Sequence, residues 1–271
     1  MPPKPPADLA TLAHTLLTTG PVRTLATPKR IRVQVGNRFV ADTTRGIYVW
    51  EHPYYPYYYV PLASLAAGSW SVVKDVEKGK ARVLRLTSSG TETDRVLAFG
   101  EDVGAEDEGE GEGKVSDLRG MVRIEFAAAD AWFEEDTRID VHPKDPFKRI
   151  DIVHSTRPVK VFVGGVLVAH AVSAYHLYET GLPTRFYLPP TSVDPGVLRP
   201  SETRTKCPYK GEAEYYDVVV EGGETVKDGV WWYRNPTLES GLIVGALCFY
   251  NEKVDVELDG ERLERPKSIF A

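Results

Sequence analysis

The densest chemistry in this chain lies between Leu198 and Tyr216, LRPSETRTKCPYKGEAEYY. From Arg199 to Lys210 four basic residues (Arg199, Arg204, Lys206, Lys210) stand against Glu202 alone, a local charge of +3. Arg204 can grip a carboxylate or phosphate through two parallel hydrogen bonds, and Lys210 can add a point charge. Pro208 and Gly211 bracket Tyr209 and Lys210, which favours a turn that presents both side chains. Cys207, flanked by Lys206 and Lys210, is a candidate nucleophile or redox sensor, because adjacent cations favour a thiolate. No histidine stands in a recognisable partner motif for it, so its other reading is a small packing residue. Cys248 lies in an apolar stretch and reads as core.

Aromatic residues form a second constellation. Tyr54, Tyr55, Tyr57, Tyr58 and Tyr59 crowd one short stretch, and Trp231, Trp232 and Tyr233 are consecutive. Neighbours on a strand face opposite ways, so Trp232 cannot share one core with Trp231 and Tyr233. Some of these rings must face a groove, an interface or another domain. Aromatic walls with a few charged groups are the usual make-up of small-ligand pockets. Glu179, repeated as Glu51, ends a hydrophobic strand and is either a salt-bridge partner for a cation such as Arg204 or a site acid. Arg204, Tyr209, Lys210, Trp231, Trp232, Tyr233 and Glu179 are therefore expected to line one groove for a small polar or anionic molecule, with Cys207 and Lys210 as catalytic candidates.

The elements that must hold these residues come in two copies. Val33 to Asp42 (VQVGNRFVAD) overlies Val161 to His170 (VFVGGVLVAH) at a shift of 128 residues, without a gap from Val33 to Leu65. Near the far end Arg138-Ile-Asp-Val141 matches Lys253-Val-Asp-Val256 at a shift of 115, and the acidic run in the first copy accounts for almost all of the difference. Each copy opens with a hairpin over a glycine turn (Gly36-Asn37; Gly164-Gly165) and a third strand, Ile47 to Glu51 or Tyr175 to Glu179. Leu242 to Tyr250 and Lys253 to Leu258 read as strands around Asn251-Glu252, and short helical turns are expected after Pro61 and Pro189-Pro190. The pattern predicts a mostly β chain, two tandem antiparallel barrel-like or tent-like domains. One helix is expected, Ala7 to Thr18, with Leu9, Leu12, Leu16 and Leu17 on one face and Gly20-Pro21 as its stop.

The second copy resembles the family catalogued as domain of unknown function 427. The motifs are Val161-Phe-Val-Gly-Gly165, Leu177-Tyr-Glu179, Phe186-Tyr-Leu-Pro-Pro190, Thr205-Lys-Cys-Pro-Tyr-Lys-Gly211, Tyr215-Tyr216, Trp232-Tyr233 and Phe249-Tyr250. The first copy matches in its opening third, including Trp50-Glu-His-Pro-Tyr54, and reads Ala81-Arg-Val-Leu-Arg-Leu-Thr-Ser-Ser-Gly90 where the hallmark would stand. The overall arrangement looks like the two-copy fungal members. The resemblance implies a compact β fold and no established activity. A nucleotidyltransferase label sometimes attached to the family calls for paired carboxylates and a Gly-Ser phosphate loop, and neither appears.

Boundaries follow: 1–28 as proline-rich tail and helix, 29–152 as a degenerate copy with an acidic Gly-rich loop at 101–114, and 153–271 as the complete copy. The acidic run, Glu101 to Lys114, has a net charge of −6, which equals that of the whole chain, so the rest is neutral and charge-driven nucleic-acid binding is disfavoured. No apolar run is long enough for a membrane span and no leader is evident, so a cytoplasmic location is expected. Two cysteines without a CxxC exclude a four-cysteine zinc site, the alternation of Glu212, Glu214 and Asp217 is ordinary solvent-face patterning, and no metal or cofactor is called for. The leading expectation is a ligand-binding module in the second copy. Its rivals are an enzyme using Cys207 or Lys210, and a structural or protein-interaction module.

Overall fold

A computed structural model describes residues 8–104, 113–223 and 225–268. The proline-rich start and most of the acidic run lie outside the described residues. The chain parts into two compact units at Asp145 and Pro146.

The first unit holds a seven-stranded and a four-stranded antiparallel sheet. The larger runs in the order Arg23–Ala26, Ile47–Trp50, Tyr57–Pro61, Met121–Ile124, Thr91–Phe99, Ala81–Ser88, Trp70–Val76. The smaller runs Thr137–Ile139, Ala131–Glu134, Ile31–Val35, Arg38–Thr43. Their inner faces share one core, in which Ile31, Val33, Val35 and Trp132 of the small sheet meet Tyr58, Val60, Leu84, Leu86, Val96 and Val122 of the large one. Alternation dictates this: Ile31–Val35 buries every second residue.

The second unit repeats that order strand for strand. Its large sheet runs Ile150–Ser155, Ala174–Glu179, Arg185–Leu188, Leu247–Phe249, Thr225–Pro236, Gly211–Val219, Leu198–Cys207, and its small sheet Glu261–Arg262, Asp255–Leu258, Val159–Val163, Val166–Ala171. The correspondence reaches the irregularities. A β-bulge at Val33/Gln34 recurs at Val161/Phe162, and an isolated bridge between Ala41 and Leu65 recurs between Ala169 and Val193. Both opening hairpins turn through two residues of positive φ, Gly36 and Asn37 or Gly164 and Gly165. At Gly36 a Cβ would lie 2.0 Å from the Ser88 carbonyl oxygen, so no other residue fits. Single turns of 3₁₀ helix, Leu62–Ser64 and Pro190–Ser192, stand where the prolines predict them.

The outer faces of the two large sheets differ. In the first unit the helix Leu9–Thr19, capped by the Asp8 carboxylate on Thr11 N at 2.7 Å, sets Leu9, Ala13 and Leu16 against Val49, Tyr59, Leu97 and Phe99. In the second unit the equivalent positions are Leu177, Tyr187, Trp231 and Tyr233, and they pack with Ile243 and Ala246 of an irregular segment. That segment contains the 3₁₀ stretch Leu238–Ile243, so the expected strand from Leu242 begins at Leu247 instead. Gly241 and Gly245, the latter with φ +68°, interrupt the extended backbone there.

Candidate functional site

The cations of the +3 segment have polar partners on neighbouring backbone and strands. Leu198–Cys207 is an edge strand whose one partner, Gly211–Val219, carries Glu212 and Glu214 in register with Lys206 and Arg204. Arg204 Nη2 lies 3.3 Å from Glu214, and Arg204 also donates to the carbonyls of Ser201 and Thr203. Lys206 lies 3.9 Å from Glu212, and Arg199 donates to the carbonyls of Gly196 and Leu198. The next strand adds Arg234, which forks onto Glu214 at 2.8 and 3.2 Å and lies over the Trp232 ring, 4.9 Å from its centroid. The Arg234 hydrogen bond holds the Glu214 carboxyl below the usual range.

Period-two geometry splits the expected groove between the two faces of the sheet. Arg204 and Trp232 share the inner side, where Trp232 stacks on Tyr216 at 6.2 Å and borders the inter-sheet core. Trp231 and Tyr233 lie on the outer face, in the cluster with Tyr187, Tyr215 and Cys248. The expected pairing of Glu179 with Arg204 is also corrected. Glu179 accepts from Lys210 Nζ at 2.5 Å, and Lys148 Nζ lies 4.0 Å from its other oxygen. Glu179 and Lys210 are almost buried, at 7% and 12% exposure.

The turn that delivers Lys210 is tied down at its backbone. Thr237 and Ser240 hydroxyls donate to the Tyr209 carbonyl, at 2.5 and 3.1 Å, and Thr237 N donates to the Lys210 carbonyl. Tyr209 is buried and Gly211, at φ +102°, closes the turn. Below it the aromatic cluster is cross-linked. Trp231 Nε1 donates to the Tyr187 hydroxyl at 3.1 Å, the Thr205 and Tyr215 hydroxyls meet at 2.7 Å, and the Trp231 and Tyr250 rings are 4.4 Å apart. Burial pushes the Tyr187 and Tyr233 hydroxyls well above their ordinary pKa and the Cys248 thiol up to about 12, so all three stay protonated at neutral pH. Cys207 is half-buried and makes no hydrogen bond to a histidine among the described residues.

Comparison of the copies sharpens the site. Glu51, the counterpart of Glu179, is held by the Arg123 guanidinium at 2.6 and 3.4 Å and accepts from the Tyr59 hydroxyl at 3.0 Å. Arg123 pairs across from Tyr59 as Cys248 pairs across from Tyr187, so a thiol stands where the first copy has its cation. The second copy brings the cation in on the hallmark turn, and its Tyr187 hydroxyl goes to Trp231. Sequence reading missed Lys148, which belongs to no motif. It also missed Arg185, which occupies the place of Tyr57, forks onto Glu252 at 2.6 and 2.7 Å and lies over the Trp231 ring. A cation facing an aromatic position in the other copy was the available signal. Among the described residues no group of three or more His, Cys, Asp or Glu side chains could hold a metal ion.

Two tandem units of identical strand order, one bearing Cys207-Pro-Tyr-Lys-Gly211, define a duplicated β domain. The chain belongs to the family described as domain of unknown function (DUF427), whose model matches residues 23–101 and 151–260. The match in the first copy thus runs well beyond the opening third legible by eye. No curated protein matches the chain. No helix among the described residues is long and apolar enough to cross a membrane.

Proposed function

We propose that the second unit is a binding module for a small polar or anionic ligand, centred on Lys210, Glu179 and Lys148 beside Tyr209 and the Trp231–Tyr233 wall. The observation that carries this reading is the way one carboxylate is held in the two copies. Glu51 is saturated by a rigid guanidinium fork and a tyrosine hydroxyl, which suits a structural ion pair. Glu179 has instead two lysines, flexible point charges, on a turn and an irregular segment, which leaves the local set at +1. A buried pair of this kind adds little stability over apolar residues of similar volume, so packing alone does not call for it. An incoming carboxylate, phosphate or polar ring can take Lys210 from Glu179 without unfolding the turn, whose backbone is fixed independently.

Arg204 has no part in this site; it lies on the other side of the sheet, beside Glu214, which it shares with Arg234. The test is a binding screen of small carboxylates, phosphates and polar aromatics by ligand-observed NMR against the full chain. Ligands of the proposed site should bind at least about tenfold more weakly to Lys210→Met, and also to Lys210→Met with Glu179→Gln, which leaves no buried carboxylate without its closest cation. Arg204→Ala should not change them. Ligands lost with Arg204→Ala and kept with Lys210→Met would place the site elsewhere.

A further inference from the structure

The second unit has a cleft of about 430 Å³ at the mouth of its inter-sheet core, away from the hallmark turn. Arg157, His176, Tyr178, Phe186, Leu258 and Leu263 line it, and the lining is mostly apolar. Its volume falls in the range of small-molecule sites. His176 is 2% exposed, its Nε2 has no hydrogen-bond partner, and its Nδ1 meets the Tyr178 hydroxyl at 3.5 Å, the outer limit of a hydrogen bond. Buried polar atoms are nearly always satisfied, so an imidazole this under-used is an exception that asks for a cause.

The first unit shows what a closed mouth looks like. The positions equivalent to Arg157, His176, Phe186 and Leu258 are Lys29, Tyr48, Tyr58 and Glu134, by the common shift and by register, since Glu134 faces Ile31 as Leu258 faces Val159. These four side chains satisfy one another. The Tyr58 hydroxyl bonds Tyr48 at 3.1 Å and Glu134 at 2.8 Å, and Lys29 pairs with Glu134. In the second unit two of the four are apolar, and Arg157 turns away to Asp259. The network is gone and an imidazole above an apolar floor remains.

We infer that this cleft is a binding site for a small hydroxylated aromatic molecule, whose ring lies against Phe186, Leu258 and Leu263 and whose hydroxyl bonds the His176 imidazole. A hydroxyl both donates and accepts, so it serves whichever ring nitrogen carries the proton. It can take the place of the long Tyr178 contact at Nδ1, or reach the shielded Nε2 by parting the wall from Leu263 to Pro266. That wall has no regular structure and is held by Leu263 N on the Val256 carbonyl and Arg265 on Asp255, both 2.8–2.9 Å.

The experiment uses 2-naphthol and naphthalene as probes of the full chain, read by fluorescence and by the imidazole resonances of His176. 2-Naphthol should bind saturably, shift those resonances, and bind about tenfold more weakly to His176→Phe, the value of one hydrogen bond. Naphthalene should bind the two proteins alike. Leu263→Trp, which fills the rim and leaves the imidazole in place, should abolish both. Lys210→Met should leave 2-naphthol binding intact, which separates this site from the one at the hallmark turn. Equal affinity of 2-naphthol for the parent and His176→Phe, binding that survives Leu263→Trp, or no saturable binding would each overturn the inference.

Discussion

His176 loses water on folding and gains one loose contact in return, and the protonation equilibrium registers that loss. Burial, with the Arg157 charge adding to it and Asp259 opposing, lowers its pKa below the ordinary 6.5. The unfolded chain therefore takes up a proton at a pH where the folded chain still refuses it. Stability conferred by the neutral ring is complete above 6.5 and is lost as pH falls from there through the folded-state pKa, below which the penalty is constant. Denaturant unfolding of His176→Phe should accordingly show a shallower fall in stability than the parent between about pH 7 and about pH 5. Identical slopes would mean that the imidazole titrates alike in both states. The lysines at Glu179 present the opposite situation, a charge kept inside because its partner is there. Which cation that would be was not readable from sequence. Lys206 is nearer the hallmark thiol in the chain than Lys210 and Arg204 is equally near, yet cross-strand register hands them to Glu212 and Glu214.

At the scale of elements the hairpins, the 3₁₀ turns after proline and the single helix were legible, because each rests on local chemistry: positive-φ glycines, fixed proline φ, and a leucine stripe ended by Gly20. The helix, Leu9–Thr19, starts two residues later and ends one residue later than its pattern suggests. It is too short to stand alone, so its stability comes from docking. Leu16, 1% exposed in that contact, should cost about 2–5 kcal/mol when replaced by alanine, measured by chemical denaturation. A loss below about 1 kcal/mol would mean that the helix is not a fixed part of the first unit. What sequence could not provide was the partition of Trp231, Trp232 and Tyr233 into site and core. Alternation shows that they divide, but the sheet order decides which side is covered by the Leu238–Ile243 segment and which by the small sheet. The bulge between Ser201 and Arg204 likewise shifts the register of the edge strand, and no residue type there announces it.

At the scale of the molecule the copies keep one strand order and spend their differences at two places, the outer face of the large sheet and the mouth of the core. The difference at the mouth is small enough to reverse. His176→Tyr, Phe186→Tyr and Leu258→Glu together rebuild in the second unit the set that closes the first, with Arg157 in the role of Lys29. The triple variant should keep its circular dichroism and lose 2-naphthol binding, and retained binding would show that the two mouths are not equivalent. The buried ion pairs have a different consequence, for how such a chain sorts its own strands as it is made. Tandem domains of one topology are prone to exchanging equivalent strands, a characteristic misassembly of repeated sequences. If Leu247–Phe249 entered the first sheet in place of Met121–Ile124, Cys248 would face Glu51 and leave a buried carboxylate without its cation, at a cost of about 3–5 kcal/mol. Arg123 and Cys248 thus act as address labels. Each strand carries, at a buried position, a side chain suited to its own sheet: a guanidinium that meets Glu51 in the first, a thiol that faces Tyr187 in the second.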